Sequence, residues 1–158
     1  MVVGFRQNSS QYPYFVIKRV SYHAPQSLGN VSSTYYFLTF PLSSYDPASM
    51  VTGAGIITIP VNGIYQFNVA LTIINNGASS DDSMLFGFRI TDGANVSNYS
   101  IGDDWGLWTN STDEISASFV VSLNCTANST IQLYGYNLTD YVNFTNGCFS
   151  GYLVAAFT

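Results

Sequence analysis

The sequence holds few side chains that could act as a nucleophile, an acid or a base. His23 is the single histidine. A serine or cysteine nucleophile needs a neighbouring base, and His23 follows a predicted strand and precedes Ala24-Pro25, where a loop or capping role fits better. The chain contains no Gly-x-Ser-x-Gly element and no His/Cys set with metal-ligand spacing. The sequence therefore predicts a protein without enzymatic activity.

Paired carboxylates are the candidates for ion binding. They occur at positions 81–82, 103–104 and 113–114, in segments predicted to be loops. Loop carboxylates can coordinate Ca²⁺ through their oxygens, and Asp103 and Asp104 are the first choice for such a site. The alternative is that all six are exposed turn acids. We expect no cofactor, with Ca²⁺ left open.

Two tryptophans, Trp105 and Trp108, lie in the same predicted loop between Gly102 and Asp113. Loop aromatics beside acids are typical of sugar-stacking sites and of protein-binding hot spots. Packing over the domain or against a neighbouring subunit would also explain them. They are the candidate binding-loop residues.

Asn-x-Ser/Thr triplets begin at nine of the 14 asparagines. In a secreted protein such triplets accept N-glycans. Turn-rich composition also brings Asn together with Ser and Thr, and in a bacterial product the triplets would have no meaning. If the chain is secreted, the candidate glycosylation sites are Asn95, Asn98, Asn110, Asn128 and Asn137.

Composition favours an all-β domain. Of 158 residues, 47% are hydrophobic and 16% aromatic, whereas only 8% are charged, against about 25% in an average domain. Nine or ten short segments rich in β-branched and aromatic residues, separated by turn signals, predict a two-sheet jelly-roll sandwich of about ten strands. Residues 1–13 are predicted to be a tail or docking arm, and residues 14–158 a single domain.

Charge and hydropathy exclude two classes of partner. The net charge is −5 with four basic residues, so we expect no nucleic-acid binding. No apolar run approaches 18 residues, so we expect no membrane insertion. Cys125 and Cys148 allow either one disulfide or two thiols.

The stretch from Met50 to Ile74 organises the predicted domain. Two β-type runs meet at a corner formed by Pro60, Val61 and Asn62-Gly63, a pair that tolerates positive φ. In the second run, the odd-numbered residues from Tyr65 to Ile73 form a large apolar face for the core. The even-numbered residues carry no charge, so that face is either solvated or covered by another copy of the chain. Because the last strand, 148–157, is also apolar on both faces, we expect a closed homo-oligomer.

Several segments, in this order, resemble the globular head of complement C1q, within the C1q and tumour-necrosis-factor jelly-roll superfamily. They are Tyr14-Phe-Val-Ile-Lys-Arg, Ile57-Thr-Ile-Pro-Val-Asn-Gly-Ile-Tyr-Gln-Phe, Ser116-Ala-Ser-Phe-Val-Val-Ser-Leu and Cys148-Phe-Ser-Gly-Tyr-Leu. The resemblance implies a ten-stranded jelly roll, a homotrimer about a three-fold axis, and no catalysis. The chain has Thr126-Ala-Asn-Ser where the family often has Gly-Asp, so a family-type calcium site is not implied.

The resemblance also implies which sheet lies nearest the axis of the trimer. Combined with the uncharged second face, it gives one set of candidate trimer-interface residues: Tyr65, Gln66, Phe67, Phe149, Gly151, Tyr152, Leu153 and Val154.

Two functions fit these features. The first is a trimeric structural protein on the surface of a virus or phage particle, acting as a capsid decoration, cement or fibre-knob protein bound to a capsid protein. The charge-poor surface, the free tail and the lack of a leader or collagen stalk favour it. The alternative is a secreted C1q-like recognition head that binds a receptor or glycan, favoured by the triplets and the paired tryptophans.

Overall fold

The structure is a computed structural model that describes residues 13–20, 26–28, 34–75, 84–101, 114–137 and 142–157. The predicted tail lies almost entirely outside the described residues, as does His23. Several further predictions also fall outside them: those for Asp103, Asp104, Trp105, Trp108, Asn110 and the side chain of Asn137.

Within these ranges the chain forms twelve strands in two six-stranded antiparallel sheets, and no helix. The first sheet has the order β10-β7-β12-β1-β4, with β2 paired to β12. The second has the order β5-β6-β11-β8-β9, with β3 paired to β11. The strands are β1 (Tyr14–Arg19), β2 (Gln26–Ser27), β3 (Thr34–Phe37), β4 (Leu42–Tyr45), β5 (Val51–Gly53), β6 (Ile56–Thr58), β7 (Gly63–Asn75), β8 (Met84–Asp92), β9 (Asn95–Ser100), β10 (Glu114–Cys125), β11 (Thr130–Asn137) and β12 (Val142–Ala156).

The core is a set of aromatic rings that joins the two sheets. Phe149 of β12 packs edge-on against Phe15 of β1 at 5.0 Å between ring centroids. Its ring also lies 5.9 Å from that of Phe67 of β7, and 5.5 Å from that of Phe88 in the second sheet. All four side chains are fully buried. The predicted alternation of β7 is confirmed, because its odd-numbered side chains from Tyr65 to Ile73 face this core.

The corner between β6 and β7 joins strands of different sheets, so the two runs do not form a hairpin. Asn62 anchors the crossing: its Oδ1 accepts a hydrogen bond from the amide of Ala127 at 2.7 Å, and its carbonyl accepts one from the amide of Phe157 at 3.0 Å. Neither Asn62 nor Gly63 adopts positive φ. Glycine is needed at position 63 because a Cβ there would collide with the carbonyl oxygen of Ala155.

Two features of the strands depend on long-range pairing. β4, which contains Ser43, Ser44 and Tyr45 just before Asp46-Pro47, a turn-forming pair, forms by pairing with β1. The last strand begins at Val142 rather than Cys148, because its first half pairs with the far end of β7. Among the described residues β9 pairs with β8 alone, so it is an edge strand, and it is exposed along its length.

We expect Gly151→Ala to destabilise the domain by about 1–3 kcal/mol, because overpacking forces neighbouring side chains from their positions. A Cβ at Gly151 would lie 2.6 Å from Phe67 Cδ1 and 2.8 Å from Phe15 Cε1. The matched control is Gly93→Asn, since Gly93 has a φ of 57° and open space around it. Thermal or denaturant unfolding should show a change within about 0.5 kcal/mol for the control. Equal stabilities of the two variants would contradict the packing described here.

Candidate functional site

The outer face of the first sheet is formed by the side chains that alternate with the core residues on β1, β7, β10 and β12. Directly paired residues share a face, so the register identifies its members. Asn68 of β7 lies between Val120 of β10 and Ser150 of β12. One step along the strand, Ala70 lies between Ser118 and Cys148. The centre of this face is therefore made of small, uncharged residues.

Charge is sparse on this face. On the four strands that form it, the charged residues that point outward are Lys18 of β1, paired with Cys148, and Glu114 at the start of β10, and both are exposed. Arg19 points inward, is 7% exposed and donates a hydrogen bond through its Nη1 to Thr39 Oγ1 at 3.0 Å. A sheet face of this size without central charge has little to favour hydration over contact with another protein surface.

Larger apolar side chains lie on the same face. Val120 is 62% exposed, Val154 51% and Tyr152 41%. Tyr152 is paired with Gln66 of β7 and with Tyr14 of β1, so these three side chains lie in a row across the sheet. Exposed valines and a tyrosine on one sheet face favour its burial against another protein surface.

Two open depressions run over the middle of the face between β10 and β12. One has a volume of about 440 Å³ and is lined in part by Asn68, Ser118 and Ser150. The other, of about 350 Å³, adjoins it and is lined in part by Thr72 and Asn146. The small residues between the strands thus leave shallow space that side chains of a partner could fill.

Both cysteines are free thiols. Cys125 pairs with Gly63 and Cys148 with Ala70 of the same strand, seven residues apart, which corresponds to roughly 23 Å along β7. This separation excludes a disulfide between them within one chain. Cys125 points inward and its burial raises its pKa to about 12, whereas Cys148 lines the depressions on the outer face. Partial burial raises the pKa of Cys148 as well, and the charge of Lys18 opposes that shift.

The structure divides the predicted interface residues into two groups. All eight belong to β7 and β12, which are adjacent in the first sheet. However, five of these residues face the interior of the sandwich. Four have side chains that are at most 8% exposed, and the fifth is a buried glycine: Tyr65, Phe67, Phe149, Leu153 and Gly151. Because neighbours along a strand point to opposite faces, these five cannot contact a partner through the outer face. Gln66, Tyr152 and Val154 do lie on it.

Sequence reasoning overlooked β10 as part of this surface. Its residues Ser116, Ser118, Val120 and Ser122 alternate with buried or half-buried residues and carry no charge. That pattern is the same signal that singled out β7, so it could have been found. The position of Cys148 in the depressions could not have been predicted from the sequence, because it depends on which residues of β7 and β12 are paired.

The remaining predicted sites are surface positions where they are described. Asn95 and Asn98 are exposed on the edge strand β9, and Asn128 is exposed in the turn before β11 with a φ of 67°. Among the described residues, no three His, Cys, Asp or Glu side chains gather in a way that could hold a metal ion. Over the same part of the chain, no helix is long and apolar enough to cross a membrane.

Solved structures share this architecture over almost the whole chain. The globular domain of zebrafish complement 1qA protein is 13% identical, with a TM-score of 0.61, and the match covers 92% of this chain and 99% of that one. Eiger TNF from S. frugiperda is 11% identical with a TM-score of 0.66, covering 92% and 96%. Murine APRIL is 8% identical with a TM-score of 0.58, covering 89% and 99%.

The chain therefore has the C1q/TNF-like jelly-roll fold, as its sequence predicted. At these identities the likeness is one of fold. No protein-family model and no curated protein sequence matches the chain.

We expect Cys125 to resist alkylation in the folded protein. Its thiol is buried and its pKa of about 12 leaves almost no thiolate at pH 8. The variant Cys148→Ser isolates Cys125, and mass spectrometry after treatment with iodoacetamide at about pH 8 measures the reaction. The folded variant should stay unlabelled and the unfolded variant should be labelled. Rapid labelling of the folded variant would contradict the inward placement of Cys125.

Proposed function

We propose that this chain is a non-enzymatic head that assembles as a homotrimer through the outer face of its first sheet. The observation that carries the proposal is the absence of charge across the centre of that face, together with exposed Val120, Val154 and Tyr152. Burial of apolar surface gives roughly 25 cal/mol per Å². With no charged side chain at the centre, assembly would bury these valines without removing an ion from water.

The shape of the face suits several copies meeting around one axis. Small side chains at Ala70, Ser118 and Ser150 let another backbone approach closely, and the two depressions offer space for larger side chains from a neighbour. A face that packs against a different part of itself forms a closed ring when the rotation closes, and three copies are one such closure. A homotrimer is also what the resemblance to the C1q and tumour-necrosis-factor superfamily implies.

We further propose that the assembled head is a structural protein on the surface of a virus or phage particle. The support is its unusual surface chemistry: 8% of residues are charged and only four are basic. Such a surface has little self-repulsion, which suits many copies packed closely on a particle and bound to a capsid protein. The head would then act as a decoration, cement or fibre-knob protein.

A specific observation favours the second candidate, a secreted recognition head that binds a receptor or glycan. Asn95, Asn98 and Asn128 each begin an Asn-x-Ser/Thr triplet and are all exposed. Exposed triplets are accessible to glycan transfer in a secretory pathway.

Assembly is tested by placing one charge on the proposed interface. Val120→Glu should convert the trimer into monomers, because burying an unpaired carboxylate is strongly unfavourable. The trimer has three times the chain mass of 17.2 kDa. The matched control is Val96→Glu on the edge strand β9, because Val96 is 55% exposed and Val120 is 62% exposed. Size-exclusion chromatography with light scattering gives the masses, and circular dichroism checks the fold.

Alkylation of Cys148 is a second readout of the same interface. In Val120→Glu the thiol should react faster than in Val96→Glu, because Cys148 lines the depression that the neighbour would cover. A monomeric wild-type chain at micromolar concentration would contradict the trimer, as would a trimeric Val120→Glu variant.

Native material separates the two proposed roles. A particle protein should sediment with particles at a fixed ratio, and mass spectrometry should show unmodified Asn95, Asn98 and Asn128. A secreted head should be soluble alone, and its mass should fall on treatment with a peptide N-glycosidase. Glycosylated, particle-free material would reject the virion role.

A further inference from the structure

The outer face of the second sheet differs sharply from that of the first. The cross-strand register places Phe37, Tyr134, Gly87 and Ser100 in one row across β3, β11, β8 and β9. The adjacent rows contain Tyr35, Tyr136 and Leu85 on one side, and Gln132, Arg89 and Asn98 on the other. We call this set the aromatic face: it combines rings, hydroxyls, amides and one guanidinium.

A buried tyrosine forms the floor of the aromatic face. The Tyr134 ring lies across Gly87, where a Cβ would collide with its Oη and Cζ atoms, and the hydroxyl bonds to the Ser100 side chain. Tyr134 is only 2% exposed, and burial raises its pKa. Tyr35 packs edge-on against it, with 4.8 Å between ring centroids and 89° between planes. The floor is therefore fixed by packing on both sides.

Arg89 is held on this floor by two aromatic rings. Its Cζ lies 4.8 Å from the centroid of Tyr35 and 4.7 Å from that of Phe37. Its Nε donates a hydrogen bond to Asn98 Oδ1 at 3.0 Å, the single hydrogen bond of Arg89 among the described residues. Four of the five N–H groups of the guanidinium thus have no acceptor in that part of the chain. The two rings and the Asn98 amide fix the plane of the guanidinium, and none of the described residues occupies its bidentate edge.

A small cavity lies beside this cation. It has a volume of about 90 Å³ and is lined by Tyr35, Leu85, Ser100, Tyr134 and Tyr136. Tyr35 is shared between the cavity and the Arg89 stack. Three of the lining rings and Ser100 carry hydroxyl groups. The cavity is too small for a sugar ring, but it can hold a compact substituent such as an acetamido group.

We propose that the aromatic face binds a carboxylate-bearing sugar, with the carboxylate on Arg89 and a small substituent in the cavity. A guanidinium binds a carboxylate through two parallel N–H···O bonds. The single positive charge of Arg89 balances the single negative charge of a carboxylate, whereas a phosphate dianion would favour a cluster of cations. The exposed ring of Tyr35 offers an apolar surface to the C–H groups of a sugar, and the amides and hydroxyls around it suit hydroxyl groups.

The proposal does not depend on the virion role or on the trimer. The aromatic face belongs to the sheet opposite the proposed assembly face, so it stays accessible whether or not copies associate. Failure of the assembly test and failure of the sugar test are thus independent outcomes.

The test uses the full chain produced in bacteria, so that Asn98 carries no glycan. Saturation-transfer NMR and calorimetry measure binding of the methyl glycoside of N-acetylneuraminic acid, with the neutral methyl galactoside as the comparison. We expect a dissociation constant in the millimolar range or tighter for the acidic sugar, and binding at least about tenfold weaker for the neutral one.

Variants then assign the binding to Arg89. Arg89→Met keeps an apolar stem over the rings but removes the charge, and should weaken binding at least about tenfold. Arg89→Lys keeps the charge but loses the planar fork, and should weaken it at least about threefold. Lys18→Gln is the matched control: it removes one exposed cation from the other sheet and should leave binding unchanged. Unfolding temperatures verify that each variant is folded.

Several outcomes would overturn the proposal. They are equal binding of acidic and neutral sugars, equal effects of Arg89→Met and Lys18→Gln, and no binding to the wild-type chain at about 10 mM sugar. Stronger binding of a short peptide with a free C-terminal carboxylate would also overturn it, since the site would then be a peptide site.

Discussion

The structure depends on one constraint, the packing of phenylalanine rings from both sheets around Phe149. Phe15 and Phe67 contact it from the first sheet and Phe88 from the second. Each ring belongs to a strand in which neighbouring side chains point to opposite faces. Once these rings are buried, alternation fixes the direction of the other side chains on β1, β7 and β8, and on β12 between the register shifts near Phe144 and Leu153. Both outer faces of the molecule are therefore defined by the core.

The two outer faces of the sandwich differ in the chemistry of their side chains. The first sheet presents small and apolar residues with little charge, which is the basis of the proposed contact with other copies. The second presents a cation held between rings and surrounded by hydroxyls and amides. The proposed assembly and the proposed sugar binding thus use opposite faces of one sandwich.

Several elements were predictable because their signal is local. The alternation of β7 assigned Tyr65 and Phe67 to the core, and the jelly-roll class followed from short strands with regular turns. The candidate interface mixed two faces, because it combined Tyr65, Phe67 and Phe149 with Gln66 and Tyr152, which point the opposite way. The resemblance implies only a sheet, whereas alternation along each strand decides which side chains share its outer face.

The sequence by itself determined the all-β class, the core face of β7 and the shortage of charge, since each is a property of composition or of period-two spacing. Tertiary structure alone decided that β6 and β7 belong to different sheets, that Leu42–Tyr45 is a strand, and that Arg89 lies against Tyr35 and Phe37. The physical reason is that these contacts join residues many positions apart, and strand pairing across such distances is selected by the packing of the whole core rather than by any local pattern.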